Sequence, residues 1–247
     1  IRRSAAASLT AIFHDLAKDP YIPVALEWVF GPENGRQLNL GLIHGLPVSL
    51  RGKVDRVDDR PHEGQNKTQH FRVIDYKSSQ KSINYDAFYH GLALQLPLYL
   101  AAYASANPGS VPENAAWFTL NRPILNVKDH SKLQNGQLEE QLMKLQRPVG
   151  LNLQPEALQQ LSVHAMKKAR QQTHELLAGQ FPVYPCRLPG QRPPCDYCDF
   201  AAFCRFDANH DPWHRPDKPV VPMQEGKRMT ARDVFLLLLA KSCGEDP

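Results

Sequence analysis

The alternation that runs from Gln37 to Lys77 constrains this chain more than any other feature. "QLNLGLIHGLPVSLRGKVDRVDD" alternates apolar and polar residues on both sides of a His-Gly turn signal. A period of two marks a half-buried strand, so the segment is read as a β-hairpin with arms at 37–43 and 46–57. A polar loop over 59–69 follows. Then comes "HFRVIDYKS", a strand expected to run antiparallel to the second arm. It ends on Asp75 and Lys77, two residues apart and therefore on one face.

The flanks complete an α/β order. Residues 5–18 are expected to be helical, ended by Pro20 and Pro23. Residues 84–106 read as a helix kinked at Pro97. "AAWFTL" (115–120) is a strand, and 131–146 and 154–179 are helices. A last helix over 230–242 has a strongly apolar face. The expected fold is a small mixed sheet flanked by helices. Residues 1–180 form its core, 181–210 a Cys-rich segment, and 211–247 a tail and helix. No internal repeat is present.

Composition narrows the classes. A chain of 247 residues with 42% hydrophobic and 22% charged residues has enough material for a sizeable core. The formal charge is +4, so a basic surface must be local. "VFLLLLA" is far too short to span a bilayer, and no membrane association is expected. The start lacks Met and an h-region, so the chain is expected to be a piece of something longer, placed in the cytoplasm.

Two clusters carry chemistry. If the hairpin's second arm pairs with the next strand, Asp55 in "LRGKVDRVDD" and Asp75 converge. Two close carboxylates repel unless something positive lies between them. Mg²⁺ (or Mn²⁺) accepts one or two carboxylates plus water and phosphate oxygens. Lys77, on the same face, is placed to hold water or stabilise charge on a phosphate. The second cluster is "PCRLPGQRPPCDYCDFAAFCRFD", with Cys195, Cys198 and Cys204 in a C-x2-C-x5-C spacing. Three thiols so spaced point to a metal in a reducing compartment. With Cys186 as a fourth ligand, tetrahedral Zn²⁺ is chemically sensible. Cys243 on the last helix reads as a small apolar residue.

"GKVDRVD", then "VIDYKS", then "GLALQLPLYLAAY" resemble the ordered motifs of the PD-(D/E)XK nucleases of the RecB type, most closely the AddB-type nuclease domain of bacterial helicase–nucleases. The resemblance covers roughly 24–207. It implies a restriction-endonuclease-like core. It implies that Asp55, Asp75 and the main-chain carbonyl of Tyr76 hold the metal, and that Lys77 is catalytic. Gln95 and Tyr99 match the family's Q-x-x-x-Y helix motif, beside the metal and the DNA strand. Glu27 in "VALEWVFG" matches an acidic position that opens the domain. His14 is read as a helix-surface residue rather than the family's upstream histidine. For the cysteines the resemblance implies a 4Fe–4S cluster in place of Zn²⁺, with its remaining ligand far upstream.

The activity so implied is Mg²⁺-dependent hydrolysis of DNA in double-strand break repair and recombination, as a metal-dependent exonuclease. No G-x-x-x-x-G-K-S/T loop for ATP is present, so a helicase–nuclease partner subunit (AddA-like) is implied. Lys167, Lys168 and Arg170 on one helix, with Arg187, Arg192 and Arg205 near the cysteines, are candidate DNA contacts. The alternative is a catalytically inactive DNA-binding or interaction module stapled by a zinc or iron–sulfur centre.

Overall fold

The computed structural model describes residues 2–18, 20–61, 68–120, 148–180, 182–183, 185–187, 192–207, 209–211, 213 and 230–244. They form two compact units. The first comprises residues 1–39, 49–83 and 95–162, the second 40–48, 84–94 and 163–247.

The first unit is built on a five-stranded sheet. Its strands are β1 (Ile22–Phe30), β4 (Gly52–Arg60), β5 (His70–Lys77), β6 (Val111–Thr119) and β7 (Val149–Gly150), side by side in that order. β1, β4 and β5 pair antiparallel, β5 and β6 pair parallel, and β7 returns antiparallel. The mixed sheet expected from the sequence is therefore present.

β5 is the central strand, and its two faces bury different partners. Ile74 meets Ala11 and Ile12 of helix α1 (Arg2–Lys18), together with Ala116 and Phe118 of β6. Phe71, on the opposite face, stacks on Tyr103 of α3 (Gln95–Ala106) at 4.7 Å. Helices thus cover both faces. α3 lies in the β5–β6 crossover, the kind of connection that parallel strands require.

The second arm of the expected hairpin breaks in two. β2 (Leu38–Ile43) pairs with β3 (Leu46–Leu50), which stops before Arg51, and β4 then joins the main sheet. Gly52 explains how β4 meets β1: a Cβ there would stand 2.7 Å from the Phe30 ring across the strand pair. Only a glycine lets that ring close over the backbone.

Two other expectations need correction. β1 has no counterpart among the expected strands, because Pro20 and Pro23 read as breakers. It is an edge strand of the described sheet, where a missing N–H is tolerated. The single helix over 84–106 is two helices, α2 (Tyr85–Tyr89) and α3, and the break lies at Gly91 (φ 75°), not at Pro97. Pro97 stands in the first turn of α3, where the absent N–H costs nothing.

α4 (Pro155–Leu177) and α6 (Ala231–Gly244) match the expected helices within a few residues. Thr230 and Asp233 cap α6 reciprocally. Within the second unit α6 buries Phe235 and Leu239, and Phe235 stacks on Tyr85 of α2 at 5.1 Å. α5 (Ala201–Cys204) is a single turn among the cysteines. The expected helix over 131–146 lies outside the described residues. No described helix is long and apolar enough to cross a membrane.

Candidate active site

The site stands at the carboxyl end of β5. The β4–β5 register pairs Arg56 with Ile74, so one step further Asp55 falls opposite Asp75. Cross-strand neighbours share a face, and the two carboxyl groups are close enough to act on each other's ionisation.

Each carboxylate has its own anchor. Asp55 Oδ2 accepts the backbone N–H of Tyr76 at 2.8 Å. Asp75 is buried, and its Oδ1 accepts from Gln95 Nε2 at 2.9 Å. Its Oδ2 faces Lys77 Nζ at 2.6 Å as an ion pair. Lys77 Nζ also donates to Gln95 Oε1 at 2.9 Å, and Gln95 Nε2 lies 3.0 Å from the Tyr99 hydroxyl. Residues 95 and 99 are one helical turn apart, which lets a single face of α3 supply both.

Burial pushes the Asp75 carboxyl above its usual range; Lys77 works against that and Asp55 adds to it. Burial likewise raises the Tyr99 phenol. The site therefore holds two acids in a partly dry place with one ammonium among them.

Alternation along β5 fixes one further group. The carbonyl of Lys77 accepts from Leu120 N–H on the β6 side. One residue earlier the Tyr76 peptide groups face β4, beyond the last paired residue. Two carboxylates and a main-chain oxygen are hard donors that suit Mg²⁺ or Mn²⁺, cations that take few carboxylates and keep several waters. Among the described residues no three His, Cys, Asp or Glu side chains gather as a ligand set.

Glu27 lies at the rim. It adopts φ 51° within β1, and its carboxylate pairs with Lys53. The hydrogen bond to Glu27 and then its charge raise the Lys53 ammonium, with Asp55 and Tyr99 adding to the effect. His14 is half-buried on α1.

The sequence reading missed the layer beneath. Asp15, Arg56, Asp58 and Arg72 form a buried ionic network on the opposite face of β4 and β5. "DRVD" carried a signal for it, since a strand that alternates two acids with a basic residue places charge on both faces.

In the second unit the cysteines divide. Burial raises the Cys195 thiol, and Cys198 and Cys204 raise it further, so these three lie within electrostatic reach of one another. Burial alone raises Cys186. None of the five cysteines is in a disulfide. The candidate DNA contacts have internal partners. Arg170 donates to the carbonyls of Leu40 and Leu42, and Lys167 to that of Ser242. Lys168 of α4 packs beside Gly91. Arg187 lies over the Trp213 ring at 5.5 Å, and Arg192 donates to the Tyr197 hydroxyl at 3.2 Å. Arg205 caps α5 in the left-handed region.

A model of the PD-(D/E)XK nuclease superfamily matches residues 1–205. The chain belongs to the PD-(D/E)XK nuclease superfamily. It is also similar to the AddB-type subunits of ATP-dependent helicase/deoxyribonucleases. That of Clostridioides difficile is 30% identical over 246 residues, covering 81% of this chain and 21% of the relative. That of Symbiobacterium thermophilum is 29% identical, covering 86% and 21%. That of Latilactobacillus sakei is 37% identical over 129 residues, covering 48% and 11%. The chain thus spans about a fifth of the length of the first two relatives. Asp75 and Lys77 stand in the D-x-K spacing that gives this superfamily its name, and they are the two residues that the geometry joins as an ion pair.

Proposed function

We propose that this domain hydrolyses DNA phosphodiester bonds with Mg²⁺ or Mn²⁺, as an exonuclease. We place it as the nuclease part of a helicase–nuclease that acts in double-strand break repair with an AddA-like partner subunit. The observation that carries this reading is the chain of contacts from Lys77 through Asp75 and Gln95 to Tyr99, with Asp55 in register on the same sheet face. The partner and the biological setting rest on the printed names of the relatives.

Asp55, Asp75 and the Tyr76 carbonyl would hold the cation. When bound, it supplies positive charge to the scissile phosphate and lowers the cost of ionising water. Water adds to phosphorus, one phosphoester P–O bond breaks, and the products are a phosphate monoester and an alcohol. Lys77 holds the incoming water or a phosphate oxygen by hydrogen bonding, released from Asp75 as the cation takes over that carboxylate. Gln95 keeps Lys77 and Asp75 in place, and Tyr99 orients the strand. Lys167, Lys168, Arg187 and Arg192 extend the phosphate contacts, Lys and Arg being suited to that role. Cys195, Cys198 and Cys204 hold a 4Fe–4S cluster, with Zn²⁺ as the alternative and Cys186 the candidate fourth thiolate. Their spacing and mutual influence support this part of the reading.

The test is cleavage of end-labelled DNA with and without Mg²⁺. Asp75→Ala is expected to lose cleavage while retaining DNA binding. Lys77→Ala is expected to lose about 10²- to 10⁴-fold in rate. Metal-dependent cleavage by Asp75→Ala at the parent rate would overturn the assignment.

A further inference from the structure

Beneath the site lies a cluster of charges that the reaction does not use. Asp58 and the side chain of Arg56 are almost fully buried, as is Arg72, and Asp15 is nearly so. Asp58 lies 2.8 Å from Arg56 Nε and 2.8 Å from Arg72 Nε. Asp15 on α1 contacts Arg56 at 3.3 Å and Arg72 at 3.0 Å. Two arginines balance two aspartates, so the cluster sends no net charge through the sheet. Desolvating four ions costs several kcal/mol each, and an apolar filling of equal volume is often at least as stable. Stability alone is therefore a weak reason for these residues.

The geometry supplies a better one. Arg56 uses its remaining Nη1 to donate to the Tyr76 hydroxyl at 2.8 Å. The Tyr76 ring packs edge-on against Phe118 at 5.7 Å. The backbone N–H of the same tyrosine holds Asp55 on the other face of the sheet. Tyr76 is also the residue between Asp75 and Lys77. Its phenol is fixed from below, and its peptide carries three of the site's groups above.

We propose that the Arg56–Tyr76 contact is a strut that positions the site: it fixes the tilt of the Tyr76 peptide, and through it Asp55, Asp75 and Lys77. Arg56 and the Tyr76 phenol are positioning groups that touch neither substrate nor metal. The inference rests on the proposed nuclease reading.

The test compares Tyr76→Phe with Tyr21→Phe. Tyr21 packs its ring under Arg72 at 4.2 Å and bonds Glu113, with no bond to Tyr76. Each variant removes one half-buried hydroxyl, so each has a similar effect on folding alone. Mn²⁺ affinity is read by paramagnetic resonance titration, with kcat and KM on labelled DNA and a melting curve alongside. Tyr76→Phe is expected to weaken Mn²⁺ binding and lower kcat, each about tenfold, with KM for DNA unmoved. Tyr21→Phe is expected to leave Mn²⁺ affinity and kcat at the parent values. Arg56→Lys keeps the charge but cannot reach Asp15, Asp58 and Tyr76 together. It should match Tyr76→Phe, and the double variant should be no worse than either.

Parent-like Mn²⁺ affinity and kcat in Tyr76→Phe would overturn the strut. So would equal losses in both tyrosine variants that track melting temperature, or additive losses in the double variant. Asp75→Ala separates this from the nuclease reading. If it still cleaves, that reading fails, and the Mn²⁺ titration still decides the strut.

Discussion

Gln95 shows how one neutral side chain organises four polar groups. Its amide oxygen takes Lys77, and its nitrogen serves Asp75 and Tyr99. A charged residue there would have to favour either the acid or the ammonium. His164 in the second unit shows the opposite case, an ionisable group kept neutral. Its Nε2 donates to the carbonyl of Tyr89 at 2.7 Å, its ring stacks on that tyrosine, and Nδ1 faces Ser242 Oγ. Burial pushes its pKa below the ordinary imidazole value, and Lys168, His90 and Lys167 add to that effect. A group with a depressed folded pKa binds protons more readily when unfolded, so stability falls as pH drops below about 6.5 through the folded value. Melting temperature is expected to decline over that window, and His164→Gln should flatten the decline. A slope unchanged by the substitution would assign it to other groups. These two residues differ in how legible they were. Gln95 was visible because it recurs in a spaced motif. His164 was not, because its role arises from packing against α2 and α6, which no local pattern encodes.

At the scale of elements, period two revealed β5 and β6 but could not say where one strand yields to the next. β3 and β4 read as one arm because Arg51 and Gly52 do not break the alternation. The chain changes partners there because Gly52 admits the Phe30 ring. The expected long helix failed for a related reason. Proline is a conspicuous breaker, yet Pro97 is harmless in a first turn, whereas Gly91 ends α2 by adopting φ 75°. Gly91→Ala tests this. The left-handed conformation costs a residue with Cβ about 1–2 kcal/mol. The new methyl would also stand 3.0 Å from Gln172 Nε2 and 3.2 Å from Lys168 Cβ. The variant is expected to melt lower by about 2–4 °C for each kcal/mol lost. An unchanged melting temperature would mean that the α2–α3 break does not depend on glycine.

At the scale of the whole molecule, the two units obtain order by different means. The first has a sheet buried on both faces, enough to be stable through its core. Around the cysteines the chain offers little of that kind. Tyr197, Phe200 and Phe203 are 69%, 70% and 85% exposed, and α5 is four residues long. A helix of that length has no stability of its own, and exposed rings contribute no burial. A metal held by Cys195, Cys198 and Cys204 would supply the missing cross-link, with its binding energy acting as folding energy. The protein purified without oxygen is therefore expected to be brown, with iron and acid-labile sulfide in cluster proportion. Cys198→Ser should lose both and gain new protease cuts between residues 185 and 207. Stoichiometric zinc without sulfide would replace the cluster with the zinc alternative. Neither metal, with a segment already resistant to protease, would show that its order comes from protein contacts alone.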